Sequence, residues 1–222
     1  LPAPAQIHLG ETRTKWNYRR IVRREPYLSR WKSEKRYLRE VFSFQVKSLA
    51  DRLENTGIEK VVVGVSGGLD STLALLVSAA AMDQLSLPRT NIIGVTMPGL
   101  GTTDRTYYNA LSLLEGLGAD ARDISIRQAV MVHFEDIGLN PAKKDVAYEN
   151  AQARERAQIL LDLGNMHGAL VVGTGDLSEE ALGWCTFAGD HIANYNVNVC
   201  LTKNMIRRLV GLIHEEQLVA GT

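Results

Sequence analysis

Cysteine is scarce in this 222-residue sequence: Cys185 and Cys200 are the two thiols, and no C-x-x-C spacing joins them. A disulfide framework is thereby excluded, no zinc-ligand pattern is present, and a reducing, cytoplasmic setting is expected. Long apolar runs are missing too. None approaches the roughly 20 residues that span a bilayer, so no membrane partner is expected. Neither sign of charge prevails, since 25 Lys+Arg balance 25 Asp+Glu. Nor does a lysine follow the glycines of "VVVGVSGGLDSTLALL" (61–76). That absence removes the Walker A loop, whose G-x-x-x-x-G-K-[ST] sets a lysine on the phosphates. Apolar residues, by contrast, make up 45% of the chain. They suffice for the sizeable core of one α/β domain with a short appendage.

The balanced charge is unevenly spread. Residues 1–60 hold 14 Lys+Arg against 7 Asp+Glu, and the remainder reverses the bias. The basic part lacks any recognised nucleic-acid module, and Pro2, Pro4, Gly10 and Pro26 interrupt it. Residues 1–31 therefore read as a basic linker or arm, residues 32–222 as the domain, and no nucleic-acid partner is expected. Helical spacing of Leu38, Val41, Phe42, Leu49 and Leu53 predicts a helix from Ser33 to about Glu54. Short β-branched or apolar runs predict strands at 60–65, 91–99, 119–126 and 169–174. Helices are expected over 69–83, 104–117, 127–136, 146–166 and 203–217, and 137–145 reads as a mobile loop. Alternating strands and helices imply βαβ units, hence an α/β doubly wound parallel sheet with helices on both faces. In such sheets ligands bind beyond the carboxyl ends of strands, where "SGGLDS", "TMPG" and "GTGD" all lie.

"GVSGG" (64–68) fits the G-x-S-x-G nucleophile elbow letter for letter, with Ser66 as the nucleophile. A hydrolase sheet, however, places several strands ahead of its elbow, and here one helix and one strand come first. The alternative is a phosphate loop. Gly67 and Gly68 let the backbone approach an anion, amides at the helix start form a nest, and Ser66, Ser71 and Thr72 add hydroxyls. Asp70 would repel a phosphate unless a cation lay between them, and Mg²⁺ commonly takes one or two carboxylates plus phosphate oxygens. "ENAQARERAQILLDLGN" (149–165) puts Asn150 and Arg154 on one helix face, with Arg156 around the corner. Asp176 and Glu179 have the D-x-x-E spacing of a capping box, or of a second metal carboxylate. Trp184, Phe187 and Tyr195 suit stacking on a flat ring as well as core packing.

"SGGLDS" after a strand resembles the loop of the PP-loop ATP pyrophosphatases, the adenine nucleotide alpha-hydrolase-like architecture. Together with "MPGLGTTDRT", "ENAQARER", "GTGDLSE", "ALGWCTF", "GDH", "YNVN" and Lys203, it resembles the synthetase domain of glutamine-dependent NAD synthetase. The resemblance runs from about Arg24 onward, with the motifs in order, although the family often has Tyr where Phe187 stands. It implies ATP-dependent amidation of deamido-NAD to NAD through an acyl-adenylate. ATP would be held by Gly64, Val65, Ser66, Gly67, Gly68, Leu69, Asp70, Ser71, Thr174 and Lys203. Mg²⁺ would sit on Asp70 and Glu179, with Asp70 and Lys203 as the catalytic pair. Deamido-NAD would meet Asn150, Arg154, Glu179, Trp184, Cys185, Thr186 and Phe187. A glutaminase domain supplying ammonia, further substrate-binding segments beyond Thr222 and a homo-oligomer are also implied, so the chain is expected to be part of a longer enzyme. Another AMP-forming PP-loop enzyme, such as a tRNA-modifying one, shares the loop but has cysteine pairs missing here.

The elbow and the phosphate loop make opposite predictions for Ser66. As a phosphate ligand it should stay unlabelled by a fluorophosphonate probe; stoichiometric labelling at Ser66 would restore the hydrolase.

Overall fold

Runs of buried β-branched residues organise the centre of the molecule. The computed structural model describes residues 34–221, so the arm expected over 1–31 lies outside the described residues. Four strands carry the sheet: β1 (Val61–Gly64), β2 (Ile92–Thr96), β3 (Asp120–Asp123) and β4 (Leu170–Gly173); a two-residue β5 (Tyr195–Asn196) completes it. Every pairing is parallel and the spatial order is β3-β2-β1-β4-β5. The chain thus builds outward from β1 to β3, then crosses back to the other side of β1 to lay down β4. That reversal between β1 and β4 is the topological switch point, where open parallel sheets bind ligands.

Among the described residues seven α-helices connect and cover the strands: α1 (Glu34–Thr56), α2 (Leu69–Gln84), α3 (Asp104–Leu117), α4 (Arg127–Asp136), α5 (Val146–His167), α6 (Leu177–Leu182) and α7 (Lys203–Glu216). Successive side chains of a strand face opposite ways, and the two cores follow that alternation. Val61, Val63, Ile92, Leu170 and Val172 join α1, α2, α3 and α7 in one core. Val62, Ile93, Val95 and Val171 join α4 and α5 in the other. The doubly wound parallel architecture read from the sequence is the one observed. Being clamped between the sheet and other helices, α2 is buried around most of its circumference, with Leu73, Leu75, Val77 and Met82 wholly inside. Gly94 on β2 admits Leu114 of α3, for a Cβ there would lie 2.0 Å from Leu114 Cδ2.

Element ends agree with the sequence reading to within three residues, the largest differences being at β2, which stops at Thr96, and at β3, which stops at Asp123. Three elements, α6, β5 and a 3₁₀ helix at Arg89–Asn91, had no counterpart in that reading. The 137–145 segment is non-helical, with a compact turn in which Ala142 N donates to Asn140 Oδ1 (3.0 Å) and Lys143 N to Asn140 O (3.0 Å).

Leu49 of α1 is 0% exposed and Phe44, five residues away, is 71% exposed. In denaturant titrations Leu49→Ala should cost about 2–5 kcal/mol, whereas Phe44→Ala should stay within about 0.5 kcal/mol of the parent. Equal losses would contradict this placement of α1.

Candidate functional site

The turn after β1 is held open for an outside ligand by its own small residues. Ser66 Oγ accepts from Gly68 N (3.2 Å) and lies 3.1 Å from Ser71 Oγ, while Thr72 Oγ1 donates to Gly68 O (2.8 Å). Gly67 has φ +77°, and a Cβ on it would come within 2.1 Å of Thr106 O, so the loop passes α3 closer than a side chain permits. No side chain caps α2. Its first-turn amides are therefore left to an external acceptor, and an anion suits them.

This turn forms one wall of a cavity of about 750 Å³, within the range of small-molecule sites. Its other walls come from the ends of β2 and β4 and from α5. The segment after β2 is fastened to α5: Arg156 Nε donates to Met97 O (3.1 Å) and Leu100 N donates to Gln152 Oε1 (3.0 Å). Burial lowers the Arg156 pKa from its ordinary value, opposed by Glu149 and Asp190.

Below the cavity, three carboxylates converge on one ammonium. Lys203 Nζ lies 2.7 Å from Asp70 Oδ2, 2.8 Å from Asp176 Oδ2 and 3.2 Å from Glu179 Oε1. The four groups come from three helix starts. Asp70 stands in the first turn of α2, Asp176 caps α6, Glu179 is in its first turn, and Lys203 opens α7. The D-x-x-E pair is indeed a capping box: Glu179 N donates to Asp176 Oδ1 (2.8 Å) and Asp176 N to Glu179 Oε2 (3.2 Å). That leaves Asp176 Oδ2 and Glu179 Oε1 turned to the lysine, so capping and a charged site coexist. Burial alone would lower the Lys203 pKa, but Asp176, Asp70 and Glu179 outweigh it and hold the ammonium well above the ordinary lysine range. Asp70, Asp176 and Glu179 each offer an oxygen within 4.8 Å of the others. Two buried oxygens, Asp70 Oδ1 and Asp176 Oδ2, have no hydrogen-bond partner; the latter touches Lys203 Nζ without bonding geometry. A hard divalent cation such as Mg²⁺ fits that all-oxygen donor set.

The residues expected to meet deamido-NAD, Glu179 of the charged cluster aside, form a separate group away from it. Thr186 Oγ1 donates to Asn150 Oδ1 (2.9 Å) and Arg154 Nε to Phe187 O (3.1 Å), tying the loop after α6 to α5. Trp184 and Phe187 are each 80% exposed, Phe187 packing its ring on His191, while Tyr195 packs against the core. Partial burial, with Glu180, Asp190 and Glu179 nearby, raises the Cys185 pKa, which keeps it a thiol. Thr174 and the loop from Gly64 to Ser71, Gly67 and Leu69 aside, line the cavity; Asn150 and Arg154 do not. Among the described residues no histidine is bonded to Ser66; His191 Nδ1 instead lies 2.6 Å from Thr186 O. The sequence reading did not single out Asp176 as a charge partner or Gln152 and Arg156 as cavity walls.

The family model described as NAD synthase matches residues 41–215. Glutamine-dependent NAD(+) synthetase of Mycobacterium leprae is 44% identical over 177 residues, covering 77% of this chain and 26% of that protein. The Mycobacterium tuberculosis counterpart is 41% identical over 176 residues, with the same coverage. Among solved structures, glutamine-dependent NAD+ synthetase from Acinetobacter baumannii in complex with ADP superposes with a TM-score of 0.74 at 27% identity, over 82% of this chain and 34% of that one. NMN synthetase from Francisella tularensis gives 0.70 at 26% identity, over 80% and 71%. The chain thus spans about a quarter of the length of these two curated relatives.

Lys203→Met should strand three carboxylates. Because the lysine is partly exposed, the expected loss is about 1–3 kcal/mol. Millimolar Mg²⁺ should restore much of it by taking the ammonium's place in the folded state. A variant whose melting temperature ignores Mg²⁺ would contradict the cation site.

Proposed function

The chain belongs to the NAD synthase family, and we propose that it is an ATP-dependent C–N ligase that amidates deamido-NAD to NAD. The observation that carries this reading is the placement of three carboxylates and Lys203 at the foot of a phosphate-binding turn, beside the switch point of the sheet. A site built to bind a polyanion has little use for three acids unless a cation is shared with the ligand.

In the proposed reaction the nicotinate carboxylate of deamido-NAD attacks the α-phosphorus of ATP. The bond to the bridging oxygen breaks, pyrophosphate leaves and an acyl-adenylate forms. Ammonia then adds to the acyl carbon and loses a proton, and AMP departs with the C–O bond's electron pair. No protein nucleophile is needed. The turn from Gly64 to Ser71 holds the phosphates through its amides and the hydroxyls of Ser66 and Ser71, and Thr174 closes on it from β4. Lys203 brings positive charge to the leaving pyrophosphate. Asp70, Glu179 and Asp176 are the residues that would hold Mg²⁺. When bound, Mg²⁺ supplies charge neutralisation on the departing phosphates. Positioning and electrostatic stabilisation fixed before the reaction begins are the means of catalysis.

Asn150 and Arg154, with Glu179 and the run from Trp184 to Phe187, form the deamido-NAD side. Glutamine as the ammonia source, through a glutaminase domain of the full-length protein, and a second copy of the chain as partner belong to the same proposal. Among the described residues no helix is long and apolar enough to cross a membrane.

Incubation with ATP, Mg²⁺, deamido-NAD and ammonium should yield NAD and AMP in equal amounts. Asp70→Asn should lower deamido-NAD-dependent ATP–pyrophosphate exchange by about 10²–10³-fold; exchange at the parent rate would remove Asp70 from the site.

A further inference from the structure

The motif "YNVN" (195–198) ends in a residue that never reaches the cavity yet is bonded to the main chain at Asp70 and at Thr174, on two sides of the charged site. Asn198 is 0% exposed and does not line the cavity. Its Nδ2 donates to Asp70 O (2.9 Å) and to Thr174 O (3.2 Å), spanning the first turn of α2 and the end of β4. Its Oδ1 accepts from Gln45 Nε2 of α1 (3.2 Å), which also donates to Val197 O (2.8 Å). On the main chain, Leu201 N donates to Asn198 O (2.9 Å), and Leu177 N donates to Leu201 O (2.9 Å).

These bonds reach Asp70, Asp176 and Lys203 by short paths. Asp70 is held through its own carbonyl. Thr174 lies two residues before Asp176. The turn closed by Asn198 O delivers Thr202, which caps α7 and sets Lys203 in its first position. Both amide hydrogens and the side-chain oxygen of Asn198 are used, so its orientation is fixed, and a fully satisfied buried amide is a rigid spacer. An aliphatic residue of that size would fill the space but could not hold two carbonyls at a set separation.

We infer that Asn198 is a positioning residue: it sets the distance between the phosphate turn and the β4–α6 turn, and so the spacing of the carboxylates that take a divalent cation with ATP. Residues that orient metal ligands from behind typically alter metal affinity or activity by about 10–100-fold when replaced. This inference rests on the proposed ATP and Mg²⁺ site.

The test is equilibrium binding to the full chain of Mn²⁺ with a non-hydrolysable ATP analogue, read by Mn²⁺ electron paramagnetic resonance, alongside binding of deamido-NAD alone. Asn198→Ala should weaken the Mn²⁺–nucleotide complex by about 10–100-fold and leave deamido-NAD affinity unchanged. A merely space-filling asparagine would lower the melting temperature and leave both affinities alone or weaken them together; either pattern overturns the inference. Should Asn198→Ala not fold, Gln45→Ala decides, since it removes only the two outer bonds from α1, to Asn198 Oδ1 and to Val197 O. A smaller loss confined to Mn²⁺–nucleotide supports positioning, and parent affinity overturns it. If the parent chain itself binds no Mn²⁺–nucleotide, the functional reading fails and carries this one with it. If parent and Asn198→Ala bind equally, only the role of Asn198 is lost.

Discussion

Three carboxylates gathered around one ammonium are the constraint on which the site depends. At an effective dielectric of about 20, like charges some 4–5 Å apart repel by about 3–4 kcal/mol per pair. Asp70, Asp176 and Glu179 would therefore not stay together without a cation among them. Lys203 supplies it in the structure, at 2.7–3.2 Å from all three. Because the participants belong to three different helix starts, the single ammonium also draws α2, α6 and α7 to one point. A site of this kind tolerates exchange of one cation for another more readily than emptiness. That is the physical link between the observed ion cluster and the proposed reaction with Mg²⁺ and a nucleotide.

The fold makes the convergence possible. Parallel strands send all their following turns to one edge, and the order β3-β2-β1-β4-β5 separates the turns of β1 and β4 at the switch point. Cores on both faces fix the strands; small residues then tune the turns. Gly67 brings the turn after β1 against Thr106, and Gln152 and Arg156 pin the segment after β2 from the other side. The cavity is thus framed by main chain that the cores hold, with few side chains left to reorganise.

Much of this was legible because the signals are strong and local. "VVVG", "IIGVT" and "LVVG" are buried β-branched runs, and the leucine-rich stretch after "SGGLDS" is a helix buried on nearly all sides. Asn150 and Arg154, four apart, do share a face and both grip the loop after α6. Other features had no such signal. The strand β5 is two residues long, below any readable period, and α6 is six. The D-x-x-E spacing posed a choice between cap and charged site. The structure shows that the two oxygens of Asp176 divide those tasks. Asn198 and Gln45 lie 153 residues apart, and only the folded chain brings them together. The comparisons support the family and the fold, while the roles of individual residues rest on this geometry.

The central claim is that the ammonium of Lys203 holds the place of a cation shared with ATP phosphates. A crystal structure with Mg²⁺ and a non-hydrolysable ATP analogue tests it most directly. The account predicts phosphates against the amides of residues 66–71, a cation on the carboxylates, and Lys203 Nζ withdrawn from them toward the phosphates. Density showing the lysine still centred on all three acids, with nucleotide elsewhere or absent, would contradict it.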